Sequence, residues 1–193
     1  MPVTAVAIIP ARGGSRRIPH KNVKPFLGKP IICYSLETAK ASGCFDSIYV
    51  TTDDEDIADV AARFGVPSLI RETAYAVDTV GTQEVVKQAL NHLPTFDYAC
   101  CIYATAPLML AHDLIAGYQR IQEEPVPFVF SVCPRWVDAG QWYWGKSLAF
   151  TRDIPLERGA MHVIPDERVC DINTMTDWHR AEQLYKRLHG GND

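Results

Sequence analysis

Short apolar runs alternate along this chain with segments whose apolar residues recur at helical spacing. The runs have the composition of strands buried on both faces: VTAVAII, SIYVTTDD, VPSLIR, YACCIYA, FVFSVC and AMHVI. Helices are predicted at about 30–42, in DEDIADVAARFG, TQEVVKQALNHL and HDLIAGYQRIQEE, and at about 176–188. This alternation favours a mainly parallel sheet with helices on both faces, which is a three-layer α/β/α fold.

Length and composition bound the class of protein. The 193 residues suit one domain, so a single domain is predicted over 1–193. The net charge of -4 argues against a general nucleic-acid binder, because a phosphate polymer is usually met by a broad basic surface. The sequence shows no signal-peptide pattern and no apolar run of about 20 residues, so we expect a cytoplasmic location and no membrane partner.

Four loops are predicted to meet at one edge of the sheet. The carboxyl ends of parallel strands lie together, and ligands of open α/β sheets bind in the crevice outside them. The loops that follow predicted strands are 11–22, 52–54, 103–107 and 170–174. We therefore expect the functional site at the rim that these loops share.

The first of these loops, ARGGSRRIPHKN, matches neither the GxGxxG dinucleotide fingerprint nor the GxxxxGK[ST] P-loop. Its Gly13 and Gly14 allow backbone N–H groups to approach an anion closely. The cations of the loop are Arg12, Arg16, Arg17 and Lys21. This combination favours a triphosphate ligand, and the alternative is a solvated basic loop.

The stretch IIPARGGSRRIPHKNVKPFLGKPIICYS resembles the N-terminal signature of the CMP-sialic acid synthetase family. The segments CIYATAPL, DAGQWYWGK and VCDINTMTDWHRAE extend the resemblance over nearly the whole chain, and they are most similar to the branch that activates pseudaminic acid. The resemblance implies a nucleotidyltransferase fold, a homodimer, and transfer of CMP from CTP to a nine-carbon acidic sugar with release of pyrophosphate.

The same resemblance implies a nucleotide site. Its predicted members are Ala11, Arg12, Gly13, Ser15, Asn22, Arg71, Asp78 and Thr82. Arg12 and Lys21 are the predicted catalytic residues, since the reaction requires a leaving pyrophosphate to be neutralised and two anions to be held close together. For Thr82 a helix-capping role is an equal alternative.

The sugar site implied by the resemblance draws on two segments. Its predicted members are Tyr103, Thr105, Asp138, Gln141 and Trp144. Aromatic rings and polar groups together suit an acidic amino sugar, whose carbons need apolar contact. The alternative is that the residues of WYW are core, which alternation along a strand makes necessary for at least one of them.

A Mg²⁺ cofactor is predicted, because nucleoside triphosphate reactions use the ion through one or two carboxylates plus phosphate. By resemblance its ligands are Asp171 and Asn173 in VCDINT, where the family has a DID-type site. Asn173 replaces the second aspartate, so one anionic ligand becomes a neutral carbonyl. The alternative is that both residues form a turn before a helix capped by Thr174 or Thr176. Capping is sufficient to explain Asp53 and Asp54.

The chain departs from the family between FVFSVCPR and DAGQWYWGK. The family usually has a long excursion there that reaches a partner subunit, whereas only Trp136 and Val137 separate Arg135 from Asp138, so the excursion is absent near 134–138. The sequence leaves open a natural short form or an omitted segment, and the lack of a Gly or Asn turn signal favours omission. Rival functions are synthetases for sialic, legionaminic or 3-deoxy-octulosonic acid, CTP or CMP-sugar binding without turnover, and a phosphate-binding structural module.

Overall fold

The computed structural model describes residues 3–72, 75–77 and 79–190. Within these ranges the strands are β1 (Ala5–Pro10), β2 (Pro25–Phe26), β3 (Lys29–Pro30), β4 (Ser47–Thr52), β5 (Ser68–Ile70), β6 (Tyr98–Ile102), β7 (Phe128–Val132), β8 (Asp138–Lys146) and β9 (Ala160–Val163). The α-helices are α1 (Ile32–Ser42), α2 (Glu55–Arg63), α3 (Thr82–Leu90), α4 (Ala111–Glu123), α5 (Ser147–Thr151) and α6 (Met175–His189).

The central sheet confirms the predicted fold class. Its seven strands lie in the order β5-β4-β1-β6-β8-β7-β9. Strand β8 runs antiparallel to both of its neighbours, while the other paired strands of this seven-stranded sheet run parallel. The fold is therefore a mainly parallel three-layer α/β structure, and the antiparallel direction of β8 is a feature that apolar patterning does not reveal.

Alternate residues of the strands feed two cores, one on each face of the sheet. Ala5, Ala7 and Ile9 of β1 pack with residues of α1, α2 and α4, whereas Val6 and Ile8 pack with residues of α3 and α5. This period of two is what a fully covered strand imposes, because successive side chains point to opposite faces. Strand β1 thus lies at the centre of the molecule, and the loop that follows it emerges at the middle of the rim.

Helix boundaries follow local capping chemistry. The Asp54 side chain accepts a hydrogen bond from Ile57 N at 3.1 Å and begins α2, and Thr174 forms a reciprocal capping box with Asp177 at the start of α6. Gly43 ends α1 with φ of 63°, a left-handed conformation that suits glycine. The capping alternative for Thr82 is wrong, since Gly81 is the N-cap of α3 and makes no side-chain capping bond.

Strand β8 carries the WYW segment through the centre of the sheet. Trp142 and Trp144 lie in the core beneath α4, and Tyr143 lies in the opposite core. Gly117 of α4 lets the helix approach, because a Cβ there would come within 2.5 Å of the Trp142 ring. The alternative interpretation of these three aromatic residues as core is confirmed.

A short turn joins β7 to β8 where the family usually has its excursion. Cys133 N donates to the Val137 carbonyl at 2.8 Å and Trp136 N donates to the Cys133 carbonyl at 2.9 Å. Trp136 has φ of 63°, a conformation uncommon for a residue with a large side chain, and its side chain is 65% exposed. The turn is compatible with the strand pairing, and omission of a longer segment stays a prediction.

The rim is formed as predicted at the carboxyl ends of the parallel strands. The segments after β1, β4, β5 and β6 lie there, and so does the start of the antiparallel β8. Within the described ranges, no helix combines the length and the apolar character that a membrane span requires.

Candidate active site

Two adjoining pockets open at this rim. The first has a volume of about 440 Å³ and is lined by Arg12, Ser15, Arg16, Arg17, Lys21, Asn22 and Asn173. The second has a volume of about 240 Å³, and its lining includes Pro10, Arg71, Val80, Thr82, Tyr103 and Thr105. Arg12, Lys21 and Asn22 belong to both linings, so the two pockets meet at these three side chains.

The first pocket has the electrostatic character of an anion site. Four of its seven lining residues are cationic and none is acidic, so the predicted cluster of cations is brought together on one surface. Ser15 adds a hydroxyl group, and its backbone N donates to the Gly13 carbonyl at 2.8 Å, which keeps this part of the loop tightly turned. Several cations around one concave surface suit a polyphosphate.

Gly13 fixes the loop against α2. Its backbone N donates to Asp53 Oδ1 at 2.9 Å, and a Cβ at this position would lie 2.2 Å from Asp54 Oδ2. The loop therefore approaches the start of α2 more closely than any side chain would permit. Asp54 caps α2 as predicted, whereas Asp53 holds the loop and is not a cap.

Asn22 closes the other end of the loop. Its side-chain Nδ2 donates to the Arg12 carbonyl at 2.9 Å, and its own carbonyl accepts from Ile32 N at 3.1 Å. Asn22 is buried and lines both pockets, and its two hydrogen bonds hold the loop in place. Ala11 has its methyl in the core and its N bonded to the Thr51 carbonyl at 3.0 Å, which leaves only its carbonyl for a nucleotide contact.

Lys21 is held by a carbonyl from the far end of the chain. Its Nζ donates to the Ile172 carbonyl at 2.8 Å. Burial lowers the pKa of Lys21 below 10.5, and the positive charges of Arg17 and Arg12 act in the same direction, while Asp171 opposes them. An anion in the first pocket would offset that repulsion and favour the charged form of Lys21.

The second pocket has the size and lining of a nucleoside site. Arg71 is 5% exposed and its Nη2 donates to the Thr51 carbonyl at 2.7 Å, which fixes the guanidinium at the end of β5. Burial lowers the pKa of Arg71. Thr82 accepts a 3.0 Å hydrogen bond from the hydroxyl of Tyr143 and lies in the lining. The predicted contact at Asp78 lies outside the described residues.

The predicted sugar residues divide into two groups. Tyr103 and Thr105 line the second pocket, and the Tyr103 hydroxyl donates to Asp138 Oδ2 at 3.2 Å, so these three remain together at the rim. Burial raises the pKa of Tyr103, and the charge of Asp138 adds to that effect. The Asp138 carboxylate is exposed and stands beside the pocket.

For Trp144 and Gln141 the prediction of a sugar contact is wrong. The Trp144 indole has no exposed surface, stacks between Phe45 and Tyr118, and donates its Nε1–H to the Leu114 carbonyl. Gln141 is 2% exposed and donates its side-chain amide to the Arg168 carbonyl at 2.6 Å. Both face packed protein, because β8 is a central strand covered on both sides.

Asp171 and Asn173 meet next to the first pocket. Asn173 donates its side-chain amide to Asp171 Oδ2 and belongs to the lining, while Asp171 is exposed. One carboxylate and one amide carbonyl are oxygen donors of the kind that Mg²⁺ accepts, so the pair fits a metal shared with phosphate. Three or more His, Cys, Asp or Glu side chains do not cluster for a metal anywhere in the described ranges. The capping alternative holds for Thr174, which leaves Asp171 and Asn173 outside the helix.

Sequence analysis did not predict two features in and around the site. The Ile172 carbonyl that binds Lys21 is a backbone group, and no residue pattern signals it. The buried pair of Asp113 and Arg168 lies behind the rim, joined by two hydrogen bonds between residues 55 apart in sequence. In the sequence, Arg168 is only one charged residue in the stretch PDERVCD, for which no strand is predicted. A charged residue in such a stretch does not indicate whether it forms a buried ion pair or lies in a solvated turn.

The chain has the fold of the nucleotidyltransferases. A CMP:2-keto-3-deoxy-manno-octonic acid synthetase complexed with CTP superposes with a TM-score of 0.79, covering 96% of this chain and 99% of its own at 15% identity, and this likeness concerns the fold. The cytidylyltransferase family model matches residues 6–187, and the chain belongs to that family.

Curated relatives agree with this assignment. A pseudaminic acid cytidylyltransferase of Campylobacter jejuni is 33% identical, covering 95% of this chain and 97% of its own length. N-acylneuraminate cytidylyltransferase B of Danio rerio is 29% identical, covering 94% of this chain and 51% of its own length. The first alignment spans 225 positions, more than the 193 residues present here, so that relative contains residues without a counterpart in this chain.

Proposed function

We propose that this protein transfers CMP from CTP to a nonulosonic acid, with pseudaminic acid as the acceptor, Mg²⁺ as the cofactor and pyrophosphate as the second product. The observation that carries the proposal is the junction of the two pockets. A cationic pocket of about 440 Å³ meets a nucleoside-sized pocket at Arg12, Lys21 and Asn22, which suits a nucleoside triphosphate lying across both. The similarity to the Campylobacter jejuni relative supports the choice of acceptor.

In the proposed reaction the anomeric hydroxyl of the acid attacks the α-phosphorus of CTP. A new oxygen–phosphorus bond forms, the bond to pyrophosphate breaks, and the hydroxyl proton is released. Negative charge develops on the leaving group, which would lie in the cationic pocket. Arg12 and Lys21 line both pockets and are proposed to contact the α- and β-phosphates. The Ile172 carbonyl already holds Lys21 Nζ, so this side chain need not be ordered during the reaction.

Asp171 and Asn173 are the residues proposed to hold Mg²⁺. When bound, the ion would neutralise charge on the phosphate oxygens. Asn173 reaches the cationic pocket, which supports a site shared between protein and triphosphate. Asp138 and Tyr103 are proposed to orient the acid, since their hydroxyl–carboxylate pair lies at the edge of the nucleoside pocket on the side of β8. A cytoplasmic location and a homodimer are part of the proposal.

The test is pyrophosphate release from CTP and Mg²⁺ with pseudaminic, sialic and legionaminic acids in parallel. The expected result is release with pseudaminic acid at a kcat/KM at least about 100-fold higher than the values for the other two acids. A site that forms hydrogen bonds to its substrate can achieve discrimination of this size. Lys21→Met serves as the inactive control, and Lys87→Met is its match because Lys87 pairs with Asp153 on the exposed surface. Release with sialic acid alone would contradict the choice of acceptor, and no release with any acid would contradict the enzyme assignment.

Binding without turnover is the second candidate, and Asn173 is the observation that favours it. A neutral amide in place of a carboxylate weakens attraction for a divalent cation. Calorimetric titration with CTP and Mg²⁺ separates the candidates: tight binding accompanied by no pyrophosphate release with any of the three acids would support the binding protein.

A further inference from the structure

A buried ion pair lies behind the rim and outside both pockets. Asp113, in the first turn of α4, is 2% exposed, and both of its oxygens accept hydrogen bonds from the Arg168 guanidinium, one of them at 3.2 Å. Arg168 ends a single helical turn, Asp166–Arg168, and is 8% exposed. A buried pair of this kind is tolerated only when its hydrogen bonds are complete, because both charges have left water.

Neighbouring groups keep this pair ionised. His162 Nε2 lies 3.5 Å and His112 Nε2 lies 3.3 Å from Asp113 Oδ1. Burial alone would raise the pKa of Asp113, but hydrogen bonds from His162 and Arg168 outweigh it and lower the pKa to about 2. The carboxylate is therefore a permanent anchor for the Arg168 side chain at neutral pH.

The backbone of Arg168 is held as firmly as its side chain. Its carbonyl accepts from the buried Gln141 side chain at 2.6 Å, and the segment enters this region through Ile164 N, which donates to the Val132 carbonyl at 2.7 Å. Arg168 is thus attached to α4, to β8 and, through the preceding residues, to the end of β7. Within the described segment 165–173, Arg168 is therefore the residue that bonds both α4, through its side chain, and β8, through its carbonyl.

The stretch that follows Arg168 has no regular structure of its own. Residues 169–173 belong to no helix or strand, and beyond them the capping box of Thr174 begins α6. The course of this stretch is therefore set by Arg168 at its start, by the buried side chain of Ile172, which belongs to one apolar cluster with Ile18 and Trp178, and by Thr174 at its end. Within it lie three groups that belong to the site: the Ile172 carbonyl, which accepts from Lys21, the side chain of Asn173, which lines the first pocket, and the side chain of Asp171 beside it.

We propose that Asp113 is a positioning residue for the phosphate side of the site: by clamping Arg168 it fixes where residues 169–173 begin, so that the Ile172 carbonyl can hold Lys21 and Asp171 stands at the rim. Asp113 contacts no substrate in this account. Its importance for turnover rests on the proposed function, whereas its effect on the segment does not.

Amide hydrogen exchange on the free protein tests the first part. Asp113→Asn keeps the size of the side chain and removes its charge, and it is expected to speed exchange at least about 10-fold in peptides covering 166–173 and 15–22, with β1 and α1 unchanged. The matched control is Arg120→Met, because Arg120 also lies on α4 and also bonds β9, through the Met161 carbonyl at 2.8 Å. The control is expected to leave both peptides unchanged.

A double-mutant cycle on CTP affinity tests the link to Lys21. Asp113→Asn alone is expected to raise the Kd for CTP about 10-fold, since it displaces a group held at the phosphate pocket. In a Lys21→Met background, titrated without Mg²⁺ so that Asp171 has no ion to hold, the same change is expected to add less than about 2-fold, because the route through Lys21 is already removed. A merely structural role would weaken binding equally in both backgrounds.

Each outcome decides the proposal. Faster exchange throughout the protein, unchanged exchange in 166–173, or additive effects on CTP affinity would overturn it. If Asp113→Asn does not fold, Arg168→Lys replaces it, since lysine keeps the charge but loses the two-pronged contact, and the same pattern at smaller amplitude is expected. Wild-type protein that binds CTP but releases no pyrophosphate with any acid would defeat the proposed function, while the exchange and affinity results would still decide the role of Asp113.

Discussion

Replacing Gly13 with alanine is expected to move the opening loop away from α2, because a methyl group has no room there. The added Cβ would lie 2.2 Å from Asp54 Oδ2, 2.8 Å from Asp54 Cβ and 2.9 Å from Asp54 Cγ. Ordinary contact between such atoms begins at about 3.5 Å, so the loop and Asp54 must separate by roughly 1 Å. Rotation of the carboxylate alone is insufficient, since the Cβ of Asp54 is itself too close.

The separation removes one of two bonds. Either Asp54 gives up its bond to Ile57 N and uncaps α2, or Gly13 N leaves Asp53. Loss of a cap costs about 0.5 to 2 kcal/mol, and loss of the loop bond costs about 1 kcal/mol. For a protein of this size, 1 to 2 kcal/mol corresponds to a fall in Tm of about 2 to 8 °C.

The effect on activity is expected to be larger than the effect on stability. A displacement of about 1 Å in a positioning loop can lower the rate about 100-fold, because the reacting groups lose alignment. The assay is kcat/KM for CTP in pyrophosphate release, with the melting temperature followed by circular dichroism. Gly14→Ala is the matched control, since the nearest atom to its added Cβ is Arg12 Nη1 at an ordinary 3.6 Å.

The steric argument fails under two results. The first is a difference between Gly13→Ala and Gly14→Ala of less than about 3-fold in kcat/KM together with a Tm difference smaller than the expected fall, which would mean that the loop accommodates the methyl without moving. The second is a crystal structure of the Gly13→Ala protein in which Asp53 and Asp54 both keep their hydrogen bonds. Either result would refute the explanation of why glycine occupies this position.

Three further predictions concern the rest of the site. Burial lowers the pKa of Lys21, so the affinity for CTP, measured by calorimetry, should fall as pH rises through a value below 10.5, and Lys21→Arg should move that fall to higher pH. The free protein should become more stable as pH rises over the same interval, because the unfolded chain binds more protons there. Asn173→Asp should lower the Tm in the absence of Mg²⁺, because it places a second carboxylate beside that of Asp171, and it should lower the Mg²⁺ concentration needed for half-maximal activity. An unchanged Mg²⁺ dependence would exclude this position as a ligand. Trp144→Ala should destabilise the protein by about 3 to 5 kcal/mol in urea unfolding while leaving the KM for the acid unchanged below the transition, whereas Asp138→Asn should raise that KM with little loss of stability.

The elements of the fold were predictable where one physical signal dominates. Strands β1 and β6 are apolar on both faces, and α2 has both an acidic cap and a clear apolar stripe. Strand β8 is different, because its direction depends on its partners, and no periodicity distinguishes a parallel from an antiparallel neighbour. Trp144 lies in the core because β8 lies between β6 and β7, and this strand order cannot be read from the sequence.

The candidate site was predictable for residues that carry their own chemistry. Arg12, Lys21 and Asn22 do lie together, because the loop that holds them is short and follows the central strand. Contacts made by backbone groups, such as the Ile172 carbonyl, leave no mark on side-chain identity. Gln141 illustrates the converse, since a polar residue in a promising segment proves to support the backbone of Arg168.

The bond between Lys21 and the Ile172 carbonyl joins parts of the chain that are 151 residues apart. During synthesis the cationic loop emerges early, whereas Asn173, which completes the lining of its pocket, emerges near the end. A nascent chain therefore displays its arginines long before it can organise them around a ligand. Ordered placement of the phosphate-facing groups has to wait for the last helix to dock, so an incomplete or locally opened chain would not hold nucleotide in a reactive position. The geometry of this single bond makes integrity of the whole domain a condition of the chemistry.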